Sequence, residues 1–188
     1  MKLNVVKFKS VKSTNDEAIR LIKNKNIYSG IVVSERQTKG KGTMGKKWIS
    51  EKGNLFISIF FKIDLKKLKI KDFLLLNVNS IKKILTKYSK KPITIKFPND
   101  LLIDGRKLCG ILQEIIEHEN DKYLITGIGI NSIKATVNKK FKATSLKINS
   151  DKKIYNHFIL KRIIKYYENV IIDLKTCNLK FIKNKYIN

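Results

Sequence analysis

Cysteine is scarce in this chain of 188 residues: Cys109 and Cys177 lie far apart, and no disulfide framework is expected. His118 and His157 are equally isolated, so the pattern holds no metal-ligand cluster. A reducing, cytoplasmic setting is the default for such a sequence. No apolar run reaches the roughly 18 residues that a membrane span requires. The opening stretch Met1 to Lys7 lacks a hydrophobic core region and a small-residue cleavage site, so no signal peptide is expected. Pro/Ser-rich linkers, low-complexity stretches and internal repeats are all missing. What remains is one globular domain, with 43% hydrophobic residues and length enough to bury a real core.

Acid is scarce too: 15 Asp and Glu against 41 Lys and Arg give a net charge of +26. Arginine occurs only at Arg20, Arg36, Arg106 and Arg162. A field of that strength favours acidic partners and salt-dependent contact with nucleic acid. The lysines, however, are spread along the whole chain, and Ile and Asn are abundant with them, as AT-rich coding produces. Neither a helix-turn-helix nor an aromatic platform nor a basic stripe accompanies the charge, so no specific nucleic acid is expected.

Hydrophobic periodicity outlines the elements. Leu3 to Phe8 and Ile31 to Val33 read as strands, with a helix over Asn15 to Lys23 between them. Ser13 is expected to cap that helix, with Asp16 as its capping-box partner. Leu55 to Ile63 is apolar on both faces, which marks a central strand covered on both sides. Asp72 to Tyr88 reads as a helix burying Leu74, Val78, Ile81, Leu85 and Tyr88. Thr94 to Phe97 is a strand stopped by Pro98. Asp104-Gly105 is a hairpin turn between Leu101–Ile103 and Leu108–Ile116, and Tyr123 to Ile130 is a further strand. Ile154 to Val170 reads as a helix with Phe158, Ile159, Arg162, Ile163, Tyr166 and Val170 on one side, followed by a short helix over Leu179 to Tyr186. Hairpins with helices between and after them imply an α+β fold with a mixed, largely antiparallel sheet.

Three regions carry polar chemistry. The stretch Arg36 to Gly53 is long, basic and dotted with glycine. Its Gly40-Lys41-Gly42-Thr43-Met44-Gly45 matches a dinucleotide fingerprint by letter, but a strand follows it rather than a helix. It is either a solvated surface loop or an anion cradle fed by Lys39, Lys41, Lys46 and Lys47. Next, Asn99-Asp100 ends one strand and Lys107 begins another across a short hairpin. Lys107 could bridge two anions, and Asp100 could hold a Mg²⁺ ion or orient a lysine amine; the plainer alternative is a surface Asp–Lys pair. Lastly, Ser13-Thr14-Asn15 and Gln37 put hydrogen-bonding side chains near strand ends, and Gly127-Ile128-Gly129-Ile130-Asn131 closes a strand with two glycines and an amide.

The order of these pieces resembles the biotin–protein ligase family, over Ser13 to about Asn131. Lys96-Phe97-Pro98-Asn99-Asp100 followed by Arg106-Lys107-Leu108-Cys109-Gly110-Ile111-Leu112 is its most specific part. The resemblance implies the mixed sheet of the class II aminoacyl-tRNA synthetase core. It implies an ATP- and Mg²⁺-dependent enzyme that makes biotinyl-5′-AMP and transfers biotin to a lysine of a biotin carboxyl carrier protein. It implies catalytic roles for Lys107, Lys41 and Asp100. Biotin contacts would come from Ser13, Thr14, Asn15, Gln37, Gly40, Lys41, Lys107 and Gly110. Gly42, Thr43, Trp48, Asn99 and Asn131 would face ATP or the adenylate, Trp48 also forming part of the apolar cover. Three positions depart from the usual pattern: arginine is common at positions 41 and 43, and tryptophan at position 97. The expected organisation is a single catalytic domain over 1–188, without a winged helix before it or a small β-barrel after it. A homodimer is left open. The alternatives are a lipoate–protein ligase, which shares the adenylate logic, and a biotin-sensing nucleic-acid-binding protein.

Overall fold

The computed structural model describes residues 2–135 and 142–187. Strands β1 (Asn4–Phe8), β2 (Gly30–Ser34), β3 (Leu55–Ile63), β4 (Thr94–Lys96), β5 (Asp100–Ile103), β6 (Arg106–His118) and β7 (Asp121–Ile130) form one sheet. Its order is β1-β2-β3-β7-β6-β5-β4. β1 and β2 run parallel, and every other neighbouring pair is antiparallel. The parallel pair needs a crossover, which helix α1 (Thr14–Lys25) supplies. Helices α2 (Ile70–Thr86), α3 (Asn156–Thr176) and α4 (Leu179–Ile182) follow, and a wide helical turn, Lys183–Ile187, ends the described chain. The layout is the mixed, largely antiparallel α+β sheet that the patterning implies. Among the described residues no helix is long and apolar enough to cross a membrane.

The two faces of β3 explain the layers. Leu55, Ile57, Ile59, Phe61 and Ile63 join the larger core with α2 and α3. Phe60 points the other way, into a smaller cluster with Ala18, Leu21 and Ile22 of α1. Each such buried side chain contributes about 1.5–3 kcal/mol by leaving water. The smaller cluster covers only part of its face. Along β7, Tyr123 and Ile125 lie under α1, and Gly127 and Gly129 continue the same alternation beyond them. There the sheet has no side chains of its own, and the functional cleft opens.

Helix faces depart from the apolar periodicity. In α2 the buried stripe includes Asn77 and Ser80, while Leu74 is only partly covered. Asn77 tolerates full burial because both ends of its amide are hydrogen-bonded: Tyr167 donates to its Oδ1 at 2.7 Å, and its Nδ2 donates to Thr126 at 3.1 Å. In α3 the buried side is Ile159, Leu160, Ile163, Tyr167, Val170 and Ile171, a rotation that leaves Phe158 exposed. Burial of Tyr167 also pushes its phenol up, so it stays protonated and donating. Tyr167→Phe leaves Asn77 Oδ1 buried without that donor. The expected cost is about 1–3 kcal/mol, read as a lower urea midpoint at unchanged slope.

The cap of α1 also differs from its expectation. Ser13 occupies the N-cap position but makes no side-chain capping bond. Asp16, its expected partner, is paired instead with Lys41.

Candidate active site

The floor of the cleft is backbone. Gly110 on β6 pairs with Gly129 on β7, and Gly127 lies two residues further along the same face. These positions need glycine for close approach rather than for unusual torsion. A Cβ on Gly110 would come within 2.6 Å of the Trp48 ring, and one on Gly129 would collide with the same indole. A Cβ on Gly127 would collide with the Asn15 carboxamide. The three glycines therefore make a strip roofed by Trp48 at one part and met by Asn15 at another.

At the Gly127 end, polar side chains converge. Gln37 Oε1 accepts from the Thr14 amide at 2.8 Å and lies 3.1 Å from the Thr14 hydroxyl. Gln37 Nε2 donates to Ser50 at 3.1 Å. Ser58 Oγ on β3 lies 2.7 Å from Thr14 Oγ1 and 2.5 Å from Asn15 Oδ1. Asn15 Nδ2 donates to Glu114 at 2.6 Å. Ser13, Thr14, Asn15 and Ser58 are all buried. Such a group offers donors and acceptors out of reach of bulk water, where each unmet partner is costly.

At the other end lies Lys107. Its ammonium is 2.7 Å from Asp100 Oδ1 and 5.4 Å from the centre of the Trp48 ring. Both side chains of the ion pair are about four-fifths buried, at 19% and 21% exposure, so the pair is shielded more than a surface bridge. The hairpin that carries them is clamped: Asn99 Nδ2 donates to Ile111 O, and Ile111 N donates to Asn99 O, each at 2.9 Å. Asn131 is buried and donates to Lys107 O at 3.3 Å, so its amide holds the same strand. Cys109, behind Lys107, faces the core, and burial pushes its thiol well above its usual value, with Asp100 adding to the rise.

The basic stretch is an ordered flap. Val11 bridges to Gln37 and Lys41 to Lys47. Gly42 N donates to Lys46 O at 2.7 Å and Trp48 N to Gly40 O at 2.9 Å, folding the segment back around the tight turn Thr43–Gly45. Met44 and Gly45 take positive φ at its tip. The indole of Trp48 is thereby carried over the glycines.

One cleft, open to solvent, gathers most residues singled out above: Ser13, Thr14, Asn15, Gln37, Lys41, Gly42, Thr43, Trp48, Asn99, Lys107, Gly110 and Asn131. Gly40 instead lines the concavity on the outer side of the flap. Asp100 is not among the cleft walls and forms its ion pair with Lys107. Among the described residues no group of three or more His, Cys, Asp or Glu gathers to hold a metal ion. Ser58, Glu114 and the pairing of Gly110 with Gly129 were not visible as site features in the sequence. Ser58 carried one usable signal, as the polar residue inside the apolar run from Leu55 to Phe61.

Comparison with known proteins identifies the family. The model of the biotin/lipoate A/B protein ligase family matches residues 7–131. The bifunctional ligase/repressor BirA of Bacillus spizizenii is 31% identical over 179 residues, covering 92% of this chain and 55% of that protein. The chain thus spans about half the length of the curated relatives it matches. The structure of a biotin protein ligase from Aquifex aeolicus in complex with biotin and ATP has a TM-score of 0.77 at 29% identity, covering 97% of this chain and 76% of that one. A biotin protein ligase from Leishmania major in complex with biotinyl-5-AMP has the same TM-score at 22% identity, over 97% of this chain and 79% of that one, and shares the fold. With a glycine-floored cleft, a matching family model and these relatives together, this chain belongs to the biotin/lipoate A/B protein ligase family.

Proposed function

We propose that the chain is an ATP-dependent biotin–protein ligase, which activates biotin as biotinyl-5′-AMP and passes it to a lysine of a biotin carboxyl carrier protein. One observation carries this reading: the linear order of chemistry along β7. A buried donor–acceptor group (Thr14, Asn15, Ser58, Gln37) is followed by a side-chain-free strip, and then by a cation at Lys107. Gly127 and Gly129 are about 7 Å apart along the strand, near the length of a short acyl tail. Biotin has the same order: a ureido ring, a thin aliphatic tail and a carboxylate. The structure of the Aquifex aeolicus relative in complex with biotin and ATP supports it.

The chemistry follows from these positions. The polar group holds the ureido ring, and Trp48 covers the tail. Lys107, oriented by Asp100, meets the carboxylate where its oxygen attacks the α-phosphorus of ATP. Pyrophosphate leaves with the bonding electron pair. A fixed ammonium at that point offsets the negative charge that builds in the transition state. An acceptor lysine amine then attacks the acyl carbon of the mixed anhydride, and AMP leaves. Water must be kept from the anhydride meanwhile, a task suited to the flap of Trp48. Among the described residues no standing metal site forms, and Asp100 is engaged by Lys107. A Mg²⁺ ion would come in on the triphosphate oxygens.

The family includes lipoate ligases, and the polar end of the strip argues against that substrate. A dithiolane ring has no use for buried donors and acceptors, whose burial without partners is penalised. The test is ATP–pyrophosphate exchange with Mg²⁺, run with biotin, lipoate and octanoate. Exchange with biotin alone is expected. Exchange with lipoate alone would transfer the chain to the sister activity, and exchange with none would remove the ligase reading.

A further inference from the structure

Lys41 is held by two carboxylates that the reaction described above does not use. Its ammonium forms an ion pair with Asp16, in the first turn of α1, and lies 4.0 Å from Glu114 Oε1 on β6. The hydrogen bond to Asp16 raises the lysine pKa and keeps it charged. Glu114 is itself anchored, since its other oxygen accepts from Asn15 at 2.6 Å. The Lys41–Asp16 pair is open to water, at 43% and 42% side-chain exposure, and such pairs contribute little to stability. It does decide where the cation of the flap points. Lys41 is tied to Lys47 by a backbone bridge, and Trp48 N bonds Gly40 O, so cation and indole move on one piece of chain.

We propose that Asp16 is a positioning residue that, with Glu114 behind it, holds Lys41 in a resting ion pair, and that an incoming polyphosphate must draw Lys41 out of that pair. Asp16 then sets the affinity of the flap for pyrophosphate and for the phosphates of the nucleotide. The inference rests on reading the cleft as a nucleotide-activating site. Its physical basis is competition. One ammonium is contested by two carboxylates and a polyanion, and the polyanion gains only the difference between the two environments. Asp16→Asn removes the strongest competitor and leaves the cleft lining intact, since Asp16 is not among its walls.

The chain has a single tryptophan, and it sits on the flap. Trp48 fluorescence, with calorimetry alongside, reads the binding of inorganic pyrophosphate without biotin or turnover. Asp16→Asn is expected to tighten pyrophosphate binding about two- to fivefold. Lys41→Gln is expected to weaken it, and in that background Asp16→Asn should change nothing. Unchanged or weaker binding in the Asp16→Asn protein overturns the proposal. So does an equal gain in both backgrounds, which would mark a general field effect rather than release of Lys41. Absence of pyrophosphate binding by the unaltered chain up to millimolar concentration overturns it as well. Biotin-dependent exchange, measured separately on the unaltered chain, decides the ligase reading independently of this cycle.

Discussion

Lys107→Ala is expected to slow biotin-dependent ATP–pyrophosphate exchange by about 10²–10³-fold, the range seen when one fixed charge-stabilising group is removed from a reaction centre. The expectation comes from placement. The ammonium is fixed at 2.7 Å from Asp100 and beside the Trp48 ring, on a hairpin clamped by Asn99. It therefore needs no rearrangement as charge develops. The fold should survive, because the side chain ends in the cleft while neighbouring Leu108 and Cys109 fill the core. Some stability is lost, about 1–3 kcal/mol, because Asp100 loses its partner in a mostly covered site. Circular dichroism and a urea melt separate that loss from the rate effect. Lys107→Arg keeps the charge but changes its shape, and an intermediate rate is expected. Exchange within a few-fold of the unaltered chain in Lys107→Ala would remove this residue from the chemistry.

Gly129→Ala is the second large effect, and it acts through shape alone. A Cβ at Gly129 would stand 2.6 Å from Trp48 Cζ2, closer than real contacts allow. A Cβ at the neighbouring Gly110 would meet the same ring, so the indole lies close over both glycines. It must lift, and the strip beneath it is filled by the new methyl group. Overpacking of this kind costs about 1–3 kcal/mol, and here the cost falls on the bound state. Biotin affinity is expected to drop about 10- to 100-fold, measured by calorimetry. Trp48 fluorescence should shift in the unliganded protein as the indole leaves its seat. Strand pairing through the position 129 backbone to Phe56 and Gly110 is untouched, so the protein should stay folded, with the melting midpoint lowered by the packing that the displaced indole loses. Unaltered biotin affinity together with an unaltered fluorescence spectrum would mean that the strip is not where the ligand tail lies.

Much of the architecture could be read locally. β3 appears within its expected bounds, and the Asp104-Gly105 turn joins β5 to β6 as a hairpin. Both depend on alternation and turn chemistry, which a short stretch of chain carries by itself. The helices lie where the periodicity puts them, and Val78, Ile81 and Leu85 of α2 and Ile159, Ile163 and Val170 of α3 are buried as expected, but the exact edges of each face were not local. In α2 a count of apolar residues passes over Asn77 and Ser80, and whether an amide is buried depends on partners from elsewhere, here Tyr167 and Thr126. α3 runs on to Thr176 and turns its exposed Phe158 outward, because the sheet and α2 choose which side is covered.

The site divides in the same way. From the sequence alone came the identity of the chemical groups and their order, from Ser13 through Lys107 to Asn131, because a motif is a run of neighbouring residues. Tertiary structure alone decided which of them meet. Ser58 on β3 reaches Thr14 and Asn15 only because α1 crosses that face of the sheet. Gly110 and Gly129 become one strip only through the register of β6 with β7. Asp16, read locally as a cap, serves Lys41 instead. A carboxylate near a helix start has a weak local use and a charged partner within reach, and only the folded chain shows that the partner has been brought to it.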